Sequence, residues 1–141
     1  MTAIMDGVET ERLGMDDDPE LVELATRLFG MARDGETEQL AAYLDAGVPV
    51  NLANDNGDTL VMLAAYYGHA ETVRALLERG ADPDRSNDRG QTPLAGAVFK
   101  GEMDVVRALV AGGADPAAGQ PSAIDAATLF GKPELLALFK A

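Results

Sequence analysis

GDTLVMLAAYYGHAETVRALLERGADP, residues 57–83, is followed 33 residues later by GQTPLAGAVFKGEMDVVRALVAGGADP, residues 90–116. Twelve of the 27 paired positions are identical, among them Gly57/Gly90, Thr59/Thr92, Ala64/Ala97, Gly68/Gly101, Leu76/Leu109 and Asp82/Asp115. Self-similarity at such a period marks a tandem array, in which each copy is one supersecondary unit. Stepping back by 33 pairs Thr26 with Thr59, Ala32 with Ala65, Gly35 with Gly68 and Gly47 with Gly80, a degenerate earlier copy. Stepping forward by 30 places Ser122, Ile124, Ala127 and Gly131 on Thr92, Leu94, Ala97 and Gly101, a last copy with a shorter loop.

Each copy reads as two helices and a turn. Thr59 and Thr92 are placed to cap a helix N-terminus through the side-chain oxygen, and Pro93 then takes the first helical position, where its missing N–H is harmless. Ser122 with Asp125 three residues on has the form of a capping box. The helix opened by Thr59 is expected to run about ten residues. Gly35, Gly68, Gly101 and Gly131 stand where a left-handed turn ends it. A second helix over about 70–78 carries Val73, Leu76 and Leu77 on one face, repeated as Val106, Leu109 and Val110, and Gly47, Gly80 and Gly113 terminate it. The polar stretches 51–57 and 84–90 cross to the next copy as turns. One such hairpin cannot bury its apolar face alone, so the copies must stack.

These features resemble the ankyrin repeat family: the period of 33, Gly-Gln-Thr-Pro-Leu at 90–94, Ala64 and Ala65 followed by Gly68 and His69, and Leu-Leu-Glu-Arg-Gly-Ala-Asp at 76–82. The resemblance implies an all-α fold, an ankyrin-type α-solenoid of about four helix-turn-helix repeats joined by β-turn fingers, over about 19–53, 54–86, 87–119 and 120–141. Two departures stand out. The family's Thr-Pro-Leu-His reads Thr59-Leu60-Val61-Met62 and Thr92-Pro93-Leu94-Ala95, so the histidine that ties neighbouring turns is missing from both. Proline, at Pro83 and Pro116, replaces the valine before each finger.

The ends differ from the middle. Asp18, Pro19 and Glu20 open a helix carrying Leu21, Leu24, Leu28 and Phe29, expected to be longer than its counterparts. At the other end Leu138 stands where Ala75 and Ala108 stand earlier, which either closes the core or leaves an apolar patch. Residues 1–17 are read as an acidic arm outside the repeat domain of 18–141. Composition favours a solvated tail, while Ile4, Met5, Val8, Leu13 and Met15 offer the alternative of an arm folded on the stack or on a basic partner.

Composition bounds the function classes. The chain of 141 residues has a net charge of −13, which repels phosphate backbones and anionic lipid and favours basic partners. There is no cysteine, hence no disulfide framework and no thiolate metal site or nucleophile. The start has neither the basic nor the apolar region of a signal peptide, and a cytoplasmic location is the expectation. Eight arginines against three lysines, with abundant alanine, point to a GC-rich bacterial source.

No catalytic constellation emerges. His69 is the single histidine and sits at the Gly-His turn; Ser86 and Ser122, the two serines, lie in a finger and at a cap. The stretches ending at Gly57 and Gly90 fail as calcium loops because Leu52 and Arg85 stand where an aspartate is required. Asp55 and Asp58 have the chemistry of an acid/base pair but lie in solvated turns. No phosphate-binding glycine loop is present. The expectation is a non-enzyme without cofactor or metal.

Recognition in ankyrin repeat proteins uses variable finger residues and the two residues before the first glycine turn. Carried over, these are Asp55, Asn56 and Asp58 with Tyr66 and Tyr67, then Asp88, Arg89 and Gln91 with Phe99 and Lys100. Arg33 and Asp34 hold the equivalent place in the first copy, and Leu129 and Phe130 in the last. Exposed aromatics are the anchor types of interfaces. For Tyr66 and Phe99 an alternative stands open, that they fill space between helices as core. The implied function is a non-catalytic protein–protein interaction module, an adaptor or regulator, binding a basic or mixed basic and apolar protein surface on its concave face, as a monomer and without nucleic acid or membrane. The alternative is a structural module that self-associates through its last repeat.

Overall fold

The computed structural model describes residues 19–140. Helices follow in order as α1 (Pro19–Asp34), α2 (Thr37–Asp45), α3 (Leu60–Tyr66), α4 (Ala70–Glu78), α5 (Pro93–Lys100), α6 (Met103–Ala111), α7 (Ala123–Leu129) and α8 (Pro133–Lys140). Among the described residues β pairing is confined to isolated bridges, Ala53 with Thr59 and Gly119 with Ser122, at the bases of the crossing turns. The fold is therefore the all-α stack of hairpins that the repeat requires. The acidic arm and the proposed Asp18 cap lie outside the described residues.

Caps start the first helix of each later pair. Thr59 and Thr92 have extended backbones, and their Oγ1 atoms accept from the Met62 and Ala95 N–H groups at 3.2 Å. In α7 the capping box is complete: Asp125 N–H donates to Ser122 Oγ and Asp125 Oδ2 accepts from Ser122 N–H. Pro93 occupies the first turn of α5. The first helices end sooner than expected, α3 after 7 residues rather than about ten. Gly68 at φ +83° forces the stop, and His69 N–H then donates back to Ala64 O at 2.9 Å.

The hairpins pile up in two layers. α1, α3, α5 and α7 pack successively on one another, as do α2, α4 and α6, and each hairpin also packs on itself. Fully buried Leu28, Leu40, Leu60, Leu76, Leu94 and Leu109 fill the space between the layers. Ala64, Ala97 and Ala127, each 0% exposed, stand at one register of successive first helices. A methyl there lets the helix axes approach closely, which is why a chain without Trp and with few aromatics still closes its core.

α1 has 16 residues, nine more than α3, and buries Leu21, Ala25, Leu28, Phe29 and Ala32. In α8 Leu135 is buried, while Leu136, Leu138 and Phe139 are half-buried against the core. Leu138 thus closes the core rather than forming an end patch. Three cross-ties hold hairpins in register: His69 Nε2 donates to Arg33 O at 2.8 Å, the Thr37 and Thr72 hydroxyls meet at 2.6 Å, and Arg79 pairs with Asp45 at 2.9 Å.

Candidate binding face

The crossing turns are built around asparagines. Asn54 Oδ1 accepts from the N–H groups of Asn56 and Asp58 at 2.9 and 3.0 Å, and Asn87 Oδ1 accepts from Arg89 and Gln91 at the same two distances. A side chain that substitutes for a backbone acceptor in this way shapes a tight loop without neighbouring strands. Gly57 and Gly90, at φ +80° and +79°, complete the two turns.

Adjacent fingers are also bonded to each other. Asp88 N–H donates to Asn56 O at 3.0 Å and Gln120 N–H to Gly90 O at 3.0 Å. Asn51 Oδ1 accepts from Asp82 N–H at 2.8 Å, and Asp84 Oδ1 accepts from Asp115 N–H at 2.7 Å. Asn87 Nδ2 donates to both Asp58 Oδ1 and Gln91 Oε1 at 2.9 Å. These bonds tie the turns where the family's histidine is missing, so the departure at Met62 and Ala95 does not disorder the fingers. Asp58 is half-buried and links two fingers through Asn87.

Asn51, Asn54, Asp84 and Asn87 were not among the expected site residues. Their signal was present, since Asn54 and Asn87 are 33 apart, as are Asn51 and Asp84. They fall just ahead of the stretch in which the repeat is most conspicuous.

The other expected residues gather on one face, where finger tips meet the ends of the first helices. Asp55, Asn56, Asp88, Arg89 and Gln91 are exposed on the fingers, and Lys100 is exposed on α5. Tyr66 and Phe99 are 43% and 64% exposed, which decides against their filling the core. Tyr67 is 49% and Phe130 43% exposed. Their rings touch in pairs: Tyr66 and Tyr67 edge to face with centroids 5.4 Å apart, and Phe99 and Phe130 with centroids 5.3 Å apart across two hairpins. Lys100 Nζ lies 4.4 Å from the centre of the Tyr66 ring, within cation–π range. Arg33 is half-buried, and its backbone carbonyl accepts from His69.

Three shallow depressions interrupt this face. One of about 240 Å³ lies between α1 and the first finger, lined by Val22, Thr26, Phe29 and Asn54 to Asn56. A second, about 190 Å³, has Asp58, Leu63, Tyr66, Tyr67, Asn87 and Arg89 among its walls. A third of about 190 Å³ lies among α3, α5 and the last turn, with Tyr66, Gly96, Phe99 and Pro121 among its walls. Aromatic walls beside finger carboxylates and amides suit recognition of mixed apolar and polar surface, the composition of protein interfaces. No helix of the described residues is long and apolar enough to cross a membrane.

Comparison with known proteins agrees with this architecture. A family model described as ankyrin repeats in three copies matches residues 28–119, well over half of the chain. A curated protein of Pseudomonas aeruginosa, named "Putative ankyrin repeat protein", is 48% identical over 52 residues, covering 37% of this chain and 30% of that relative. The chain therefore matches less than a third of that relative's length. With the 33-residue period, the capped helix pairs stacked in two layers and the family match together, the chain belongs to the ankyrin repeat family.

Proposed function

We propose that this protein is a non-catalytic adaptor or regulator that binds another protein through the concave face formed by its first helices and finger tips. One observation carries the reading. Tyr66, Tyr67, Phe99 and Phe130, most of the aromatic residues of an aromatic-poor chain, stand exposed side by side on that face. Ankyrin repeats generally serve as protein-interaction modules, and aromatic anchors dominate interface energies because they bury a large area at little cost in entropy. The acidic finger at 51–58 and the net charge of −13 favour a partner with Arg or Lys around an apolar anchor. We assign the repeat domain to 18–141 and place the site in its middle hairpins, with the protein acting as a cytoplasmic monomer.

Affinity capture from the native cell tests this reading. The partner retained by the wild type should be lost with the Tyr67→Ala, Phe99→Ala double variant and kept with Arg107→Ala, an exposed change on the second-helix layer. Equal capture by the double variant rejects the face. A second reading, self-association through the last repeat, is favoured by Leu129 at 75% and Ile124 at 38% exposure. Light scattering across concentration decides it: a dimer that Leu129→Lys dissociates supports it, and a monomer throughout removes it.

A further inference from the structure

The depression among α3, α5 and the last turn has one glycine among its lining residues. Gly96 lies inside α5, with its N–H bonded to Thr92 O at 3.0 Å, in a backbone that any residue adopts. A β-carbon there would meet only Tyr66 Cδ1, at 4.0 Å, an ordinary contact. Glycine within a helix is less favourable than alanine by about 1 kcal/mol, and here neither packing nor a positive φ demands it. The residue 33 positions earlier is the buried Leu63, and the residue 30 later the buried Ala126. Gly96 is thus a gap in a register that elsewhere carries a side chain, and the gap lines the depression.

The walls set what fits. Tyr66, Phe99, Met62 and Ala95 make the pocket largely apolar. At about 190 Å³ it falls below the roughly 300–1,000 Å³ of small-molecule sites, a size suited to one side chain. Met62, Tyr66 and Gln91 also line the neighbouring depression, which has Asp58 among its walls, so the two adjoin. The finger on that side, 51–58, carries Asp55 and Asp58 and no Lys or Arg, while Arg89 of the next finger lines the same depression as Asp58, and Lys100 lies over Tyr66. Asp58 uses Oδ1 toward Asn87, and a carboxylate has further acceptor sites for a cation.

We infer that the notch at Gly96 is a specificity pocket that receives one leucine-sized or larger apolar side chain from an extended segment of a partner protein, with an Arg or Lys of the same segment lying against Asp58. The inference rests on the reading of this face as the partner-binding surface and adds to it the chemistry of the anchor. Filling the notch should therefore abolish binding while leaving the fold intact.

The test uses fluorescent nine-residue peptides of Gly and Ser carrying a central Leu and an Arg two residues away, with Leu→Ala and Arg→Glu versions. Binding is followed by fluorescence anisotropy, and contacts by NMR of the Met62 and Ala95 methyl groups. The wild type should bind the Leu and Arg peptide about tenfold or more tightly than either altered peptide, with shifts at both methyls. Gly96→Leu should abolish binding. Gly96→Ala should weaken it and raise the melting temperature, and this variant carries the test if Gly96→Leu does not fold. Equal binding by wild type and Gly96→Leu overturns the pocket, as does a lower melting temperature for Gly96→Ala, which would mean that packing holds the glycine. Failure of every peptide at millimolar concentration also overturns it, whereas the wider face then still stands or falls on the Tyr67 and Phe99 capture experiment.

Discussion

Thr92 Oγ1 accepts from Ala95 N–H while 1% exposed, so water cannot replace it once removed. Thr92→Ala should cost about 1–2 kcal/mol, as caps do, read as a lower urea midpoint with unchanged slope. The four glycines that end the first helices look alike in sequence and have similar φ, but they do not stand in equal space. A β-carbon at Gly35, φ +76°, would fall 2.5 Å from His69 Nδ1, whereas at Gly101, φ +75°, nothing lies within 4 Å. Gly101→Ala should cost about 1–2 kcal/mol for the left-handed backbone alone. Gly35→Ala should cost clearly more, because it also displaces the ring that donates to Arg33 O; equal losses in thermal melts would show that the ring yields freely. The caps and glycines were readable because their signals are local. The partner of His69 was not, since Arg33 lies 36 residues away along the chain.

At the scale of elements, α2 and α4 are joined on the second-helix layer by the Arg79 and Asp45 pair, with Arg79 also donating to Ala75 O at 3.0 Å. The Arg79 hydrogen bond holds the Asp45 carboxyl below its usual 3.8, and the same bond raises Arg79. A carboxyl depressed on folding contributes stability that is fully present above its unfolded value and is lost as pH falls through its folded value. The melting difference between wild type and Asp45→Asn should be small at neutral pH, as exposed pairs are weak and screened by salt. It should shrink in high salt and vanish as the solution is acidified below 3.8; a difference persisting in acid would refute the ion pair as its source. The helices were readable from capping and apolar spacing. The finger elements were read only as turns, because some of the bonds that order them, such as Asn87 to Asp58, join side chains of different copies.

For the whole molecule, stability is expected to be a sum of hairpins and the surfaces between them. Deleting 120–140 uncovers the face of α5 that packs on α7, so both melting temperature and urea slope should fall, the slope in proportion to the area no longer buried. An unchanged melting temperature would show that the last hairpin is uncoupled from the rest. The 33-residue period, the caps at Thr59, Thr92 and Ser122, the terminating glycines and the apolar comb of Val73, Leu76, Val106 and Leu109 are determined by the amino-acid sequence alone, because each acts within a few residues of itself. Which side chains remain outside was decided only by tertiary structure. Tyr66 and Phe99 are spaced as core residues would be and are exposed, Asp58 looks free and is bonded, and Gly96 looks like a weak helix residue and lines a depression. Each outcome depends on how closely the next hairpin approaches, and that distance is set by packing between residues about 30 positions apart.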